Sequence, residues 1–136
     1  MLLAGVFAAL VVAAAAIYVL SNPGTGSGKP SSVSIDLQII EDDPVQQIQH
    51  FYPGNMTVSL NQSVSLAIRN GDDEPRTFVI KDFNVNVTMG PGTTGRVMFL
   101  ASKVGAFVFY SPPSVPSPVS QGRPGKYIQG NLIVTQ

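Results

Sequence analysis

The chain has no cysteine and no tryptophan, a single histidine, and few charges: Asp, Glu, Lys and Arg make up 12% of its 136 residues. Each shortage excludes something. Without cysteine there is no disulfide framework and no residue to report a redox compartment. Eight basic residues against eight acidic ones leave no basic stripe for nucleic acid. One histidine, His50, is too few for an imidazole-based metal or acid–base site without help from other groups. Beyond residue 32 there is also no helical period of useful length, which points to an all-β domain.

Charge is missing most completely at the start. Lys29 is the first charged residue, and Met1–Leu20, MLLAGVFAALVVAAAAIYVL, is an almost unbroken apolar run. About 20 helical residues cross a bilayer core of roughly 30 Å. The run is therefore expected to form a transmembrane helix over residues 1–21. A cleaved signal peptide is the competing reading. It fits less well, because the run lacks a basic leading region and is long for a signal core. The bulk of the chain follows the run, which suits a single-pass protein of the cell membrane with its soluble part on the extracytoplasmic side. Residues 22–32 read as a flexible Gly/Pro/Ser linker, and residues 33–136 as the domain.

Within the domain, apolar and polar residues alternate over Val33–Ile40, Met56–Leu60 and Val64–Ile68. Further strands are expected at Thr77–Ile80, Val85–Thr88, Gly95–Leu100, Ala106–Tyr110 and Ile128–Val134. Asn61–Ser63, Asn70–Pro75 and Pro91-Gly92 are turn signals between them. Many short strands with such turns predict a β-sandwich or barrel. Ser111–Pro124 holds five of the eleven prolines and reads as a stiff extended loop, either a docking surface or an ordered crossover.

Candidate sites are few. Three Asn-x-Ser/Thr triplets mark Asn55, Asn61 and Asn86 as candidate glycosylation sites. The acidic triplets Glu41-Asp42-Asp43 and Asp72-Asp73-Glu74 precede prolines and read as solvated turns, with too few alternating oxygens for a calcium loop. Ser111 has no nucleophile-elbow context and no adjacent base. His50-Phe51-Tyr52 reads as a strand-edge or packing cluster, and Met56, Met89 and Met98 as core filler.

Three segments carry a family resemblance. Pro75–Gly92, PRTFVIKDFNVNVTMGPG, Gly95–Ser111, and Gly130–Val134, GNLIV, resemble in order and spacing the cupredoxin domain of heme–copper oxidase subunit II. The resemblance implies a cupredoxin-like Greek-key β-sandwich behind one transmembrane helix. It also implies copper ligands, and here the chain departs from the family. The upstream ligand histidine falls at Arg76 and the first ligand cysteine at Ser111. Continuing the ligand spacing lands on Val115, Val119 and Gly122, and no other register supplies Cys or His. Such copper sites need thiolate and imidazole, so no cofactor or metal is expected in this chain. Arg76 has two readings, a guanidinium filling the vacated corner or an exposed turn arginine.

The resemblance implies a non-catalytic, metal-free subunit of a membrane terminal quinol oxidase. Such a subunit would cap a separate subunit I, which would carry the heme and copper. Two rivals share the apolar start. One is a filament subunit of the pilin or flagellin type; the other is a cell-surface binding module gripping a partner with the proline-rich loop.

Overall fold

In a computed structural model, the structure describes residues 18–20, 31–43, 45–46, 48–114 and 125–136. Among the described residues, ten strands form two sheets. In chain order they are β1 (Tyr18–Leu20), β2 (Ser32–Asp43), β3 (Ile48–Tyr52), β4 (Asn55–Ser59), β5 (Ser63–Asn70), β6 (Arg76–Ile80), β7 (Val85–Met89), β8 (Thr94–Leu100), β9 (Gly105–Ser111) and β10 (Ile128–Thr135).

The first sheet runs β1-β2-β5-β8, with β3 also on β2; the second runs β4-β10-β9-β6-β7. Two of the pairings are parallel, β2 with β5 and β10 with β4. The strands expected at Ala106–Tyr110 and Ile128–Val134 are present and pair as the last hairpin, β9 lying antiparallel to β10 from Gly105–Val134 to Ser111–Ile128.

Alternation decides which side faces inward. In β2, Val33, Ile35, Leu37 and Ile39 are buried while the intervening residues are not. In β5 the same holds for Val64, Leu66, Ile68 and Asn70. Side chains of period two from both sheets meet in one core. Its centre is an aromatic triad. Phe51 lies 5.8 Å from Phe78 and 5.0 Å from Phe109, and Phe78 lies 5.6 Å from Phe109. Edge-on and tilted ring pairs of this kind add roughly 0.5–1.5 kcal/mol each beyond area burial.

The turn at Leu60–Gln62 carries the chain from the second sheet to the first. Leu60 N–H donates to the Thr135 carbonyl, and Asn61 N–H to that of Ala101, both at 2.7 Å. Asn61 stands at φ 66°, a left-handed conformation that asparagine tolerates.

Four expectations need correction. Tyr18–Leu20 is a strand paired with Ser32–Ser34, not the end of a helix. The rest of the expected transmembrane helix over 1–21 lies outside the described residues, as does most of the 22–32 linker. No helix among the described residues is long and apolar enough to cross a membrane. Glu41–Asp43 ends β2 instead of forming a turn, with a register shift against β3. The strand β3 was not anticipated beyond an edge at His50–Tyr52. Met56 and Met89 are core residues, but Met98 is 73% exposed.

Candidate functional site

The corner where β5 and β9 end and β6 begins is built around Asn70, which is fully buried. Its Nδ2 donates to the carbonyls of Glu74 (2.7 Å), Met89 (3.2 Å) and Gly90 (3.2 Å), and its Oδ1 accepts from Asp72 N–H (3.0 Å). Gly71 follows, and its N–H donates to the Ile39 carbonyl at 2.9 Å. A Cβ there would stand 2.4 Å from that oxygen, so only glycine lets the turn press onto β2. The turn is thereby folded inward. Asp72 and Glu74 are buried and only Asp73 between them is exposed, so the solvated-turn reading of this triplet is overturned.

Arg76 opens β6, and its side chain exposes no surface. The exposed-turn reading of this arginine is overturned too. Nη1 donates to the Pro112 carbonyl (3.1 Å) and Nη2 to the Lys126 carbonyl (2.9 Å), while Nε lies 3.2 Å from Asp72 Oδ2. The Nε contact is an ion pair without hydrogen-bond alignment. One guanidinium thus ties both ends of the proline-rich segment to the turn after β5. Gly125 makes room for it: a Cβ there would meet Arg76 Nη1 at 3.0 Å and Asp72 Oδ2 at 3.1 Å. The same two ends are joined directly. Ser114 Oγ accepts from Gly125 N–H (2.6 Å), and Ser114 N–H donates to the Gly125 carbonyl (3.0 Å).

Ser111 ends β9 in this corner, fully buried, and its Oγ has no hydrogen-bond partner among the described residues. Residues 115–124, which include Val115, Val119 and Gly122, lie outside the described residues. The segment's role as docking surface or crossover lies with them.

Burial sets the electrostatics. It raises the Asp72 carboxyl above its ordinary value. The Asp73 carboxyl beside it adds to the rise, and the Arg76 guanidinium opposes it. Burial also raises Glu41, helped by the negative charges of Asp72 and Asp73. Arg76 is lowered by burial, against the pull of Asp72 and Glu41. Carboxylate oxygens of Glu41, Asp72 and Asp73 all lie within 4.8 Å of one another. Among the described residues, Arg76 is the cation whose charge acts on Glu41 and Asp72.

The donor chemistry does not fit a cupredoxin copper. Guanidinium stays protonated and offers no lone pair, and a serine hydroxyl is a poor substitute for a thiolate. Met89 lies opposite Arg76 in the β6–β7 ladder, and its Cγ and Sδ fill the space over Gly95. His50 makes no hydrogen bond to Arg76, Asp72 or Ser111 among the described residues. It is exposed on β3 of the first sheet, and its Nδ1 pairs with the Asp42 carboxylate.

Asn55 and Asn86 lie exposed on β4 and β7, the two edge strands of the second sheet, and Asn61 in the exposed turn between the sheets. Beside the corner and sharing Pro112 and Ser114 with it, a cleft of about 260 Å³ is lined also by Pro75, Thr77, Thr88 and Pro113.

A two-sheet sandwich whose last hairpin and β6 enclose one polar corner is the architecture of a cupredoxin-like domain. The sequence profile of the cupredoxin-like domain matches residues 9–134, and the chain belongs to that family. No curated protein matches it in sequence.

Several solved structures share the fold. Auracyanin A, a blue copper protein of Chloroflexus aurantiacus, is 16% identical with a TM-score of 0.54, over 77% of this chain and 100% of that one. A copper nitrite reductase from Nitrosomonas europaea is 18% identical with a TM-score of 0.57, over 77% of this chain and 42% of that one. A chain of a heme–copper terminal oxidase dimer is 16% identical with a TM-score of 0.53, over 98% of this chain and 92% of that one.

Proposed function

We propose that this chain is a metal-free, membrane-anchored component of a terminal quinol oxidase, similar in kind to subunit II. In this reading it has no catalytic residue of its own. It caps and stabilises a separate subunit I, which holds the heme and copper. The observation that carries the proposal is Arg76. A buried guanidinium pinned to the carbonyls of Pro112 and Lys126 takes the place where the family resemblance puts a copper-ligand histidine. Ser111 stands where the resemblance puts the ligand cysteine. The chemical logic is that a soluble cytochrome needs an external metal relay, whereas a membrane-dissolved quinol delivers electrons directly to a heme. The domain is then free to lose its metal and keep its place in the assembly.

Support also comes from the fold likeness to a heme–copper terminal oxidase chain over nearly the whole length of both, and from the apolar segment before Tyr18. The reading further makes the apolar run ahead of β1 the anchor, shorter than the expected 1–21 because Tyr18–Leu20 pair with β2, and the two-sheet domain its extracytoplasmic part. Asn55, Asn61 and Asn86 are its candidate glycan sites. The test is extraction of the native protein in mild detergent, followed by an optical spectrum and identification of what comes with it. Reduced-heme bands with a many-helix partner and quinol-driven oxygen uptake are the expected result. A heme-free homopolymer or monomer would remove the oxidase reading in favour of a filament or surface module.

A further inference from the structure

The two outer faces of the sandwich differ in charge. On the first sheet, Asp36, Arg69 and Arg96 sit at outward positions of β2, β5 and β8. On the second sheet, the outward positions of all five strands carry only hydroxyl, amide, apolar and tyrosine side chains. Tyr110 and Tyr127 stack on that face with ring centroids 5.7 Å apart, and Tyr127 is 48% exposed.

Two of the three Asn-x-Ser/Thr triplets belong to this uncharged face. In a strand, residues two apart share a face. Asn55 and Thr57 therefore point outward together from β4, and Asn86 and Thr88 from β7. These strands are the two edges of the sheet, and β9 is its middle strand. The register leads inward from both asparagines. Asn55 pairs with Asn131, and Asn131 with Val108 on β9. Asn86 pairs with Val79, and Val79 with Tyr110 on β9. Each asparagine thus stands two strand spacings, about 10 Å, from the middle strand. Asn131 Nδ2 donates to Asn55 Oδ1 at 3.0 Å, so the Asn55 side chain leans over the sheet and not off its edge. Asn61 lies in the turn between the sheets, outside these rows.

From this placement we propose that N-linked sugars on Asn55 and Asn86 lie across the uncharged face and cover Val108, Tyr110 and Tyr127. Attachment joins asparagine Nδ2 to the anomeric carbon of a sugar carried on a lipid phosphate. The bond from that carbon to the phosphate oxygen breaks, the amide gives up one proton, and the lipid phosphate leaves. Neutral sugars suit such a face. Their hydroxyls exchange hydrogen bonds with amide and hydroxyl side chains, and their C–H faces pack on tyrosine rings. Sugars on both edge strands also shield backbone groups that would otherwise pair with another chain. The inference rests on the extracytoplasmic placement proposed above. It adds which of the candidate sites act together and what they cover.

The test uses the full-length chain purified from its native cells. Peptide mass spectrometry reads sugar occupancy at the three asparagines. Variants V108C and M98C, each in a chain with no other cysteine, report accessibility through their rate of maleimide labelling. Val108 is 40% exposed on the covered face, and Met98 is 73% exposed on the other sheet. Each is compared with the same variant carrying T57V and N86Q, which remove both triplets at exposed positions.

The expected result is sugar on Asn55 and Asn86, and labelling at position 108 slower by about fivefold or more than in the chain without the triplets, with position 98 unchanged. Bare Asn55 or Asn86 overturns the inference, even where Asn61 is modified. Sugar on both without slowing at 108 overturns it as well. Slow labelling that persists in the T57V/N86Q chain, with V108C cross-linking between copies, assigns the face to a second copy and overturns the sugar cover. A membrane-impermeant label on intact cells separates the layers of the argument. A domain that is reached by the label but free of sugar refutes the cover alone; one that is not reached refutes the placement, and the cover with it. A heme-free preparation that shows both the sugars and the slowing removes the oxidase reading and leaves the cover standing.

Discussion

Replacing Arg76 by alanine removes two charge-assisted hydrogen bonds and the ionic partner of Asp72 at once. A hydrogen bond to a charged group contributes roughly 1.5–3 kcal/mol, and breaking a buried ion pair from one side costs roughly 3–5 kcal/mol. These figures overlap, since both describe the same guanidinium, so the expected loss at pH 7 is about 3–5 kcal/mol. For a domain of this size that corresponds to roughly 15–30 °C in Tm, and it is a large share of a typical total stability of about 5–15 kcal/mol.

Two further signatures separate this mechanism from a generic cavity. Asp72 already has a raised pKa, so in R76A it can take up a proton, and the loss shrinks as pH falls toward about 4. A double-mutant cycle of R76M with D72N gives a coupling energy above about 1 kcal/mol. The assay is thermal and urea unfolding of the full-length chain in detergent, followed by circular dichroism. Trypsin cleavage after Lys126 reports the freed strap, because Arg76 holds that residue's carbonyl. A loss below about 1 kcal/mol at pH 7, or a coupling energy near zero, would refute the picture of Arg76 as the tie between turn and loop.

Other outcomes follow from the same geometry. Glu41 and Asp72 keep their protons to higher pH in the folded state than in the unfolded chain. Their contribution therefore favours folding at low pH and is lost as pH rises from the ordinary carboxylate range through the raised values. E41Q should gain stability relative to the parent between pH 4 and pH 7, roughly across that range, and a relative loss over this interval would contradict the assignment. G130A should destabilise by about 1–3 kcal/mol or more in urea unfolding, because its Cβ would stand 2.2 Å from Phe109 Cζ and 2.5 Å from the Gly54 carbonyl oxygen. Titration with Cu(II) should give no thiolate–copper absorption band and no shift in Tm, and chelation should leave Tm unchanged. Tight one-to-one copper uptake abolished by R76A would show that the donor argument is mistaken.

Period-two alternation made most strands legible. Val33–Ile40 and Val64–Ile68 fall inside β2 and β5 because their apolar residues occupy one face without interruption. The strand β3 was hidden because its hydrophobicity marks no single face: Phe51 and Gln49 are buried together while Ile48 and Tyr52 are exposed. Met98 misled for a similar reason, since β8 turns Arg96, Met98 and Leu100 outward.

The turn at Asn70–Pro75 was readable as a turn, but not as one that carries two carboxylates inside. That depends on Asn70 supplying side-chain hydrogen bonds and on Gly71 touching β2, both tertiary facts. The importance of Arg76 was visible only through the family resemblance. No local signal distinguishes a buried arginine that begins a strand from an exposed one.

The place of β10 bears on how the chain is made. Its neighbours are β9, close in sequence, and β4, whose Asn55 and partner Asn131 are 76 positions apart. During vectorial synthesis or export, β4 emerges early and waits with an open edge for a partner that does not yet exist. Contacts of such long range slow folding, and an unpaired edge strand invites pairing with another chain. The second sheet can close only after the proline-rich segment has passed, so the interval between β4 and β10 is when this protein is most exposed to aggregation.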